Sequence, residues 1–241
     1  MTAPWWLAAL MALLGLMHAA ASYFYFSKEG RAWPWALAWL IFTAVCMTLL
    51  AYAPQAAVLA FLLSILAWTF WWDSIRAAST LGWVVENARQ ATAEVRDDTL
   101  MVRDLRNFEW LDGRNSVPRW EAREYPLGQL TAVDLFVSTW GDPRVAHLIV
   151  SFVFTDVPPL AFSIETRREQ RERWSILAGF MKSYEIILIA ADERDVIRVR
   201  SNVRGEQVAR YRLKSTPQMR RKLLGAYVEQ MNSLARRPRD R

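Results

Sequence analysis

His147, Ser151, Ser163 and Glu165 are the residues of this chain whose types and spacing suit chemistry. They lie on two apolar runs, Val145–Phe154 and Leu160–Thr166, joined through Thr155-Asp156-Val157-Pro158-Pro159, and the two runs read as one β-hairpin. Strand side chains alternate between faces. His147, Ile149, Ser151 and Val153 therefore share one face of the first strand, and Ala161, Ser163 and Glu165 one face of the second. A turn centred near Val157 predicts Ser151 opposite Ser163 and Ile149 opposite Glu165, with His147 diagonal to the acid. A histidine beside a carboxylate is a competent acid/base unit, because the carboxylate fixes the tautomer and stabilises the imidazolium. The same pattern also describes the solvated polar face of a half-exposed sheet, and spacing alone does not separate the two. Ser151 or Ser163 as a nucleophile lacks a nucleophile elbow or an oxyanion loop. With one histidine and no cysteine outside the apolar N-terminal region, only carboxylates remain for a metal, so neither metal nor cofactor is expected.

The hairpin must be held by neighbouring elements. Thr99–Phe108 alternates loosely, Asn115–Leu127 reads as a Pro-containing loop with Trp120, and Thr131–Trp140 reads as a strand ended by Gly141-Asp142-Pro143. Arg168–Lys182 reads as a charged helix or loop, Tyr184–Ala190 as a buried strand, and Val196–Ser201 and Val208–Leu213 as two more strands. Pro217–Leu234 is the best helix, with Leu223, Leu224, Tyr227, Val228 and Met231 at helical spacing. These elements predict an α+β domain with a mainly antiparallel sheet and a C-terminal helix.

Upstream the texture differs. No charge occurs from Ala32 to Trp72, and before Asp73 only Lys28, Glu29 and Arg31 are charged. Backbone amides cannot stay unpaired in lipid, so so long an apolar run must be helical. Three transmembrane spans are expected, at about residues 4–26, 33–52 and 55–72, each near the roughly 20 residues that cross a hydrocarbon core. Trp and Tyr crowd their ends, as amphipathic rings do at headgroup depth. The domain organisation is thus an anchor over 1–72, a connecting segment over 73–98 and the α+β domain over 99–241. His18 reads as a neutral histidine bonded to a neighbouring helix, Cys46 as an unreactive lipid-buried thiol, and Gly15 with the Ala-rich faces as close-packing positions. Charge leaves sidedness open, because Lys28 and Arg31 exceed Glu29 by only one.

The chain carries a formal net charge of +6. Arginines cluster at Arg167, Arg168, Arg171 and Arg173 and recur from Arg194 to Arg212, interleaved with Glu165, Glu169, Glu172 and Asp192-Glu193-Arg194-Asp195. Such interleaving reads first as an ion-pair network, and second as a surface for anionic phospholipid headgroups. No aromatic-basic stripe suggests nucleic acid as a partner.

Ala146-His147-Leu148-Ile149-Val150-Ser151-Phe152, Ser163-Ile164-Glu165-Thr166-Arg167 and Ala191-Asp192-Glu193-Arg194-Asp195-Val196-Ile197-Arg198-Val199-Arg200 resemble the Lnb N-terminal periplasmic domain family. Val102–Phe108, Val133–Phe136, Ala178-Gly179-Phe180 and Asn232-Ser233-Leu234 extend the resemblance over roughly Trp72 to Pro238. It implies a multi-pass protein of the bacterial inner membrane with its soluble domain in the periplasm, and a fold resembling permuted papain-like domains. It also implies lipoprotein N-acyltransferase-like chemistry, with phospholipid and lipoprotein as partners. There a strand histidine matching His147 activates a cysteine, and the acyl group passes through a thioester. That cysteine follows the segment matching Asn232–Arg239, in a run resembling Tyr-Asn-x-x-Thr-x-Asn-Cys-Thr-Thr. Here Pro238-Arg239-Asp240-Arg241 closes the sequence without it, and Cys46 lies in the apolar region. The expectation is an acyltransferase-like domain inactive by itself, with Glu165, Ser163 and Ser151 supporting His147. The alternative is a non-enzymatic envelope protein that binds lipid or lipoprotein.

Overall fold

The computed structural model describes residues 4–27, 32–75, 82–141, 144–170, 179 and 184–237. The segment read as a charged helix or loop at Arg168–Lys182 falls largely outside these residues, as does Ala178-Gly179-Phe180 apart from its glycine. The chain divides into two compact units, one holding the apolar helices and one holding the sheet.

In the first unit, α1 (Trp5–Phe26), α2 (Ala32–Leu49) and α3 (Pro54–Ser74) are long and apolar enough to cross a membrane. α2 stops at Leu49, short of the expected Tyr52, and Pro54 starts α3 at the position where a missing N–H costs nothing. α1 and α2 meet at Gly15, where a β-carbon would fall 2.2 Å from Thr43 Oγ1. Only glycine permits that approach, the small-residue packing that substitutes for a hydrophobic drive in lipid. His18 does not reach a neighbouring helix for its hydrogen bond. Its Nδ1–H donates to Leu14 O one turn earlier, at 2.6 Å, and its ring lies against Trp39 and Trp68. Cys46 is buried among Met11, Leu50, Ala57 and Phe61.

The second unit is built on a mainly antiparallel sheet. Its strands are β1 (Thr92–Arg96), β2 (Thr99–Arg106), β5 (Trp120–Pro126), β6 (Leu130–Thr139), β7 (Ala146–Phe154), β8 (Leu160–Arg167), β9 (Glu185–Asp192) and β10 (Gln207–Arg212). A small ribbon, β3 (Glu109–Trp110) with β4 (Ser116–Val117), stands apart. The order is β1-β2-β9-β8-β7-β6-β10, with β5 also paired to β2. β2 meets β9 in parallel at Arg106↔Ala191. Helical structure comes from α4 (Glu193–Val196), a π-helix (Val199–Val203), α5 (Pro217–Arg236) and short 3-10 turns at Val85–Asn87 and Leu127–Gln129.

Three sequence readings are corrected here. Val196–Ser201 is helical, because Asp192 Oδ1 caps the Arg194 N–H at 3.0 Å and starts a turn. Asn115–Leu127 is not a loop but holds β4 and β5. Its strand signal is muted because only Tyr125 enters the core while Glu121 and Arg123 point to polar partners. The hairpin register is Ile149↔Ser163 and Ser151↔Ala161, two residues away from the one expected, since the turn centres on Asp156. A slip of two keeps every side chain on its face.

The two faces of the sheet differ. On one, Phe152, Phe154, Leu160, Phe162, Leu188 and Ala190 pack under Leu224, Met231 and Leu234 of α5. Thr216 caps that helix by accepting from the Met219 N–H, and Tyr227 packs its ring against Phe162 at 5.2 Å. Asn232 holds β1 by bonding both backbone groups of Ala93, at 2.9 and 2.7 Å. On the opposite face, Phe136, Ile149, Ala161, Ile187, Ile189 and Ala191 pack against Val196. That face also carries His147, Ser151, Ser163 and Glu165.

Candidate functional site

The site lies on three adjacent strands. Pairing places Asp134 beside Ser151 and Ala161, Phe136 beside Ile149 and Ser163, and Ser138 beside His147. A central apolar row thus separates two polar ends. Ser151 and Ser163 are completely buried, so this is not the solvated face that spacing also allowed. α4 and the π-helix roof it over.

At one end, His147 Nε2 lies 2.7 Å from Ser163 Oγ, and Ser163 Oγ donates to Glu165 Oε1 at 3.0 Å. Arg200 Nη2 donates to the same carboxylate oxygen at 3.2 Å. Arg200 Nη1 lies 3.6 Å from Glu206, which accepts from Ser138 Oγ at 2.5 Å. Burial alone would raise the Glu165 carboxyl. The charges of Arg106, Arg200 and His147, with the Ser163 hydrogen bond, outweigh it and hold the group at about 2. Glu165 is therefore a carboxylate and must receive the Ser163 proton. A hydroxyl has one proton, so Ser163 accepts from His147 Nε2–H.

Local structure aims these groups. The segment before β1 straps the end of β8: Asn87 Nδ2 donates to Thr166 O at 2.8 Å, Arg167 Nε donates to Asn87 O at 3.0 Å, and the Arg167 guanidinium stacks over Trp83 at 4.5 Å. Arg200 rides on the π-helix, a local widening of the helical turn often found where a side chain is placed for a purpose. Its Nε is buried with no hydrogen-bond partner among the described residues.

Ser151 is not joined to His147. It donates to Glu193 Oε1 at 2.5 Å at the other polar end. Burial raises the Glu193 carboxyl above its ordinary value, against the Ser151 hydrogen bond. Asp134 there takes two bonds from Arg212, at 2.6 and 2.9 Å.

Below both lies a buried knot around Asp195. It accepts from Arg106 Nε at 2.9 Å, Arg106 Nη2 at 3.2 Å, Phe108 N at 2.9 Å and Trp110 Nε1 at 2.8 Å. Asp192 pairs with Arg123 at 2.8 Å. Among the described residues Glu165, Asp192 and Asp195 pair with arginines, as read from sequence, while Glu193 is the exception because its partner is a serine; Arg171, Glu172 and Arg173 lie outside the described residues. Reasoning from sequence missed Arg200, Glu206 and Ser138, because Val196–Ser201 read as a strand would send Arg198 and Arg200 to one face together.

The model of the Lnb N-terminal periplasmic domain family matches residues 116–240, just over half of the chain. The chain belongs to that family. The Lnb-type match spans both polar ends of the site and α5, whereas the resemblance read at Val102–Phe108 falls outside it. With three helices able to span a bilayer, the protein is membrane-anchored and carries a periplasmic domain. No curated protein and no solved structure matches the chain.

Proposed function

We propose that the domain handles acyl groups at the periplasmic face of the inner membrane, with His147 as general base to a thiol. The observation that carries this reading is the continuous chain His147–Ser163–Glu165–Arg200, in which a carboxylate fixed by an arginine orients the imidazole through a hydroxyl. In the reaction, the base takes the thiol proton and the thiolate attacks an acyl ester carbonyl of a phospholipid. The imidazolium returns the proton to the departing alcohol. The thioester then passes its acyl group to the amine of a diacylated lipoprotein. Glu165 stabilises the imidazolium in both halves, while Ser163, fully buried with its proton committed, positions rather than attacks. Ser151 supports the roof through Glu193. A permuted papain-like arrangement belongs to the same reading.

The 241 residues contain one cysteine, Cys46, buried in α2. The chain by itself is therefore expected to show no transfer in proteoliposomes of phospholipid and diacylated lipoprotein. Appending an Asn-Cys-Thr segment should bring transfer that His147→Ala removes. Robust turnover by the unmodified chain, indifferent to His147→Ala, overturns the reading. Lipoprotein or phospholipid binding without transfer by either form favours a non-enzymatic envelope protein.

A further inference from the structure

The three helices line an open cavity that the acyl-transfer reading does not use. It has a volume of about 460 Å³ and is lined by Ser22 and Phe26 of α1, Trp35 and Trp39 of α2, and Trp68 and Trp71 of α3. Because the helices alternate in direction, these residues lie at the end of the bundle from which α3 leads on to the periplasmic domain. The aromatic cluster there marks the interface: Phe26 stacks on Trp35 and Trp71, and Tyr25 packs against Trp71 and Trp72. Ser22 lies one turn deeper, about 6 Å along the helix axis. That depth is where the ester groups of a bilayer give way to hydrocarbon.

Two polar groups stand out in the apolar lining. Ser22 is 2 % exposed and has no hydrogen bond among the described residues, although Ser64 in the same lining donates to Phe61 O at 2.7 Å. Trp68 Nε1–H is also buried without a partner among the described residues. An unpaired donor in an apolar setting costs about 1–3 kcal/mol, so the buried Trp68 N–H, with the Ser22 hydroxyl in the same lining, calls for a ligand bearing acceptor oxygens. Among the described residues, no charged side chain lines the cavity. A free carboxylate would be costly to bury against this apolar lining, whereas a neutral ester would not. Trp35, Ala38 and Ala67 on the lining are exposed on the lipid side, so a chain can enter sideways from the bilayer. The volume falls within the range of small-molecule sites, about 300–1,000 Å³.

We propose that this cavity binds one acyl chain of a glycerophospholipid from the periplasmic leaflet, with its ester oxygen accepting from Ser22. The site lies wholly in the helices and stands whether or not His147 acts as a base. The full chain in nanodiscs of phosphatidylethanolamine and phosphatidylglycerol would be photolabelled with a phosphatidylethanolamine carrying a diazirine in its acyl chain. Label should concentrate on the segments bearing Trp39 and Trp68 over the exposed lipid-facing Leu13 and Leu62. Ala67→Trp and Ala38→Trp, which fill the space from exposed positions, should each lower cavity label about tenfold, and Ser22→Ala about fivefold, the loss of roughly one hydrogen bond. Label at Leu13 and Leu62 serves as the internal control and should not change. Even labelling of all lipid-facing positions, unmoved by the three variants, overturns the site. Displacement by palmitate as readily as by phospholipid overturns the ester assignment. Displacement by a diacylglyceryl peptide alone overturns phospholipid as the occupant.

Discussion

Two carboxylates, Asp195 and Glu165, sit in the same domain and both face arginines, yet they are built for different ends. Asp195 is fully buried and receives four donors, all from groups that keep their protons at any physiological pH. Glu165 receives a hydroxyl and one guanidinium arm, keeps about a fifth of its side chain exposed, and connects through Ser163 to an imidazole. The first arrangement is saturated and has no proton to move. The second ends on an imidazole, a group able to take up and release a proton. Acid–arginine pairing alone therefore does not mark a site; what the chain of hydrogen bonds ends on does. The two are not isolated, since Arg106 binds Asp195 directly and also helps hold Glu165 ionised.

This contrast sets the order of expected effects. Asp195→Ala leaves the Arg106 guanidinium buried and unpaired and should cost about 3–5 kcal/mol, read by denaturant unfolding of the reconstituted chain followed through amide exchange in β2 and β9. Glu165 comes next. Its carboxyl is held at about 2 in the fold and returns to its ordinary value when unfolded. Its stabilisation is thus present above the ordinary value and lost as pH falls toward 2. The difference between the parent and Glu165→Gln should shrink across that window, by up to about 3 kcal/mol; a difference independent of pH contradicts the ionic role. His147→Ala should cost no more than about 1 kcal/mol, since the ring is only half-buried and the carboxylate keeps its arginine. A loss as large as that of Asp195→Ala would erase the distinction between the two clusters. Glu193→Gln should be the mildest. Burial raises the folded-state value of Glu193, so its ionised form opposes folding as pH rises through that value. The glutamine variant should match the parent at low pH and be equal or slightly more stable, by under about 1 kcal/mol, at pH 8.

Parts of this were legible in the sequence for definite reasons. The apolar helices follow from an uncharged run that admits no other backbone solution, and the hairpin from two alternating strands around a Pro-Pro turn. Alternation survived a register error of two because period-two faces are unchanged by it, so His147, Ser163 and Glu165 still converge. The roof was not legible. Val196, Ile197 and Val199 look like strand residues locally, and their helical state comes from the Asp192 cap and from packing Val196 against Ile189 and Ala191, contacts made only in three dimensions. Arg200 was lost with it. Strand β5 was missed because a strand whose one core residue is Tyr125 carries almost no hydrophobic period. That Ser22 makes no hydrogen bond among the described residues is likewise visible only once neighbouring helices are in place.

The Arg106–Asp195 contact spans 89 positions of the chain. At ribosomal speeds of about 5–20 residues per second, Asp195 is made roughly 5–20 s after Arg106. β1, β2 and β5 can pair early, since their turns are local, but the edge of β2 that meets β9 and the guanidinium beneath it must wait. Through that interval the emerging domain presents an open strand edge and an uncompensated charge facing apolar side chains, a state that favours mispairing with other chains. The membrane helices are made first, so this slow closure happens on a chain already tethered. Tethering keeps such half-closed molecules at one surface, where the time taken to complete a single ion pair sets how long they need protection.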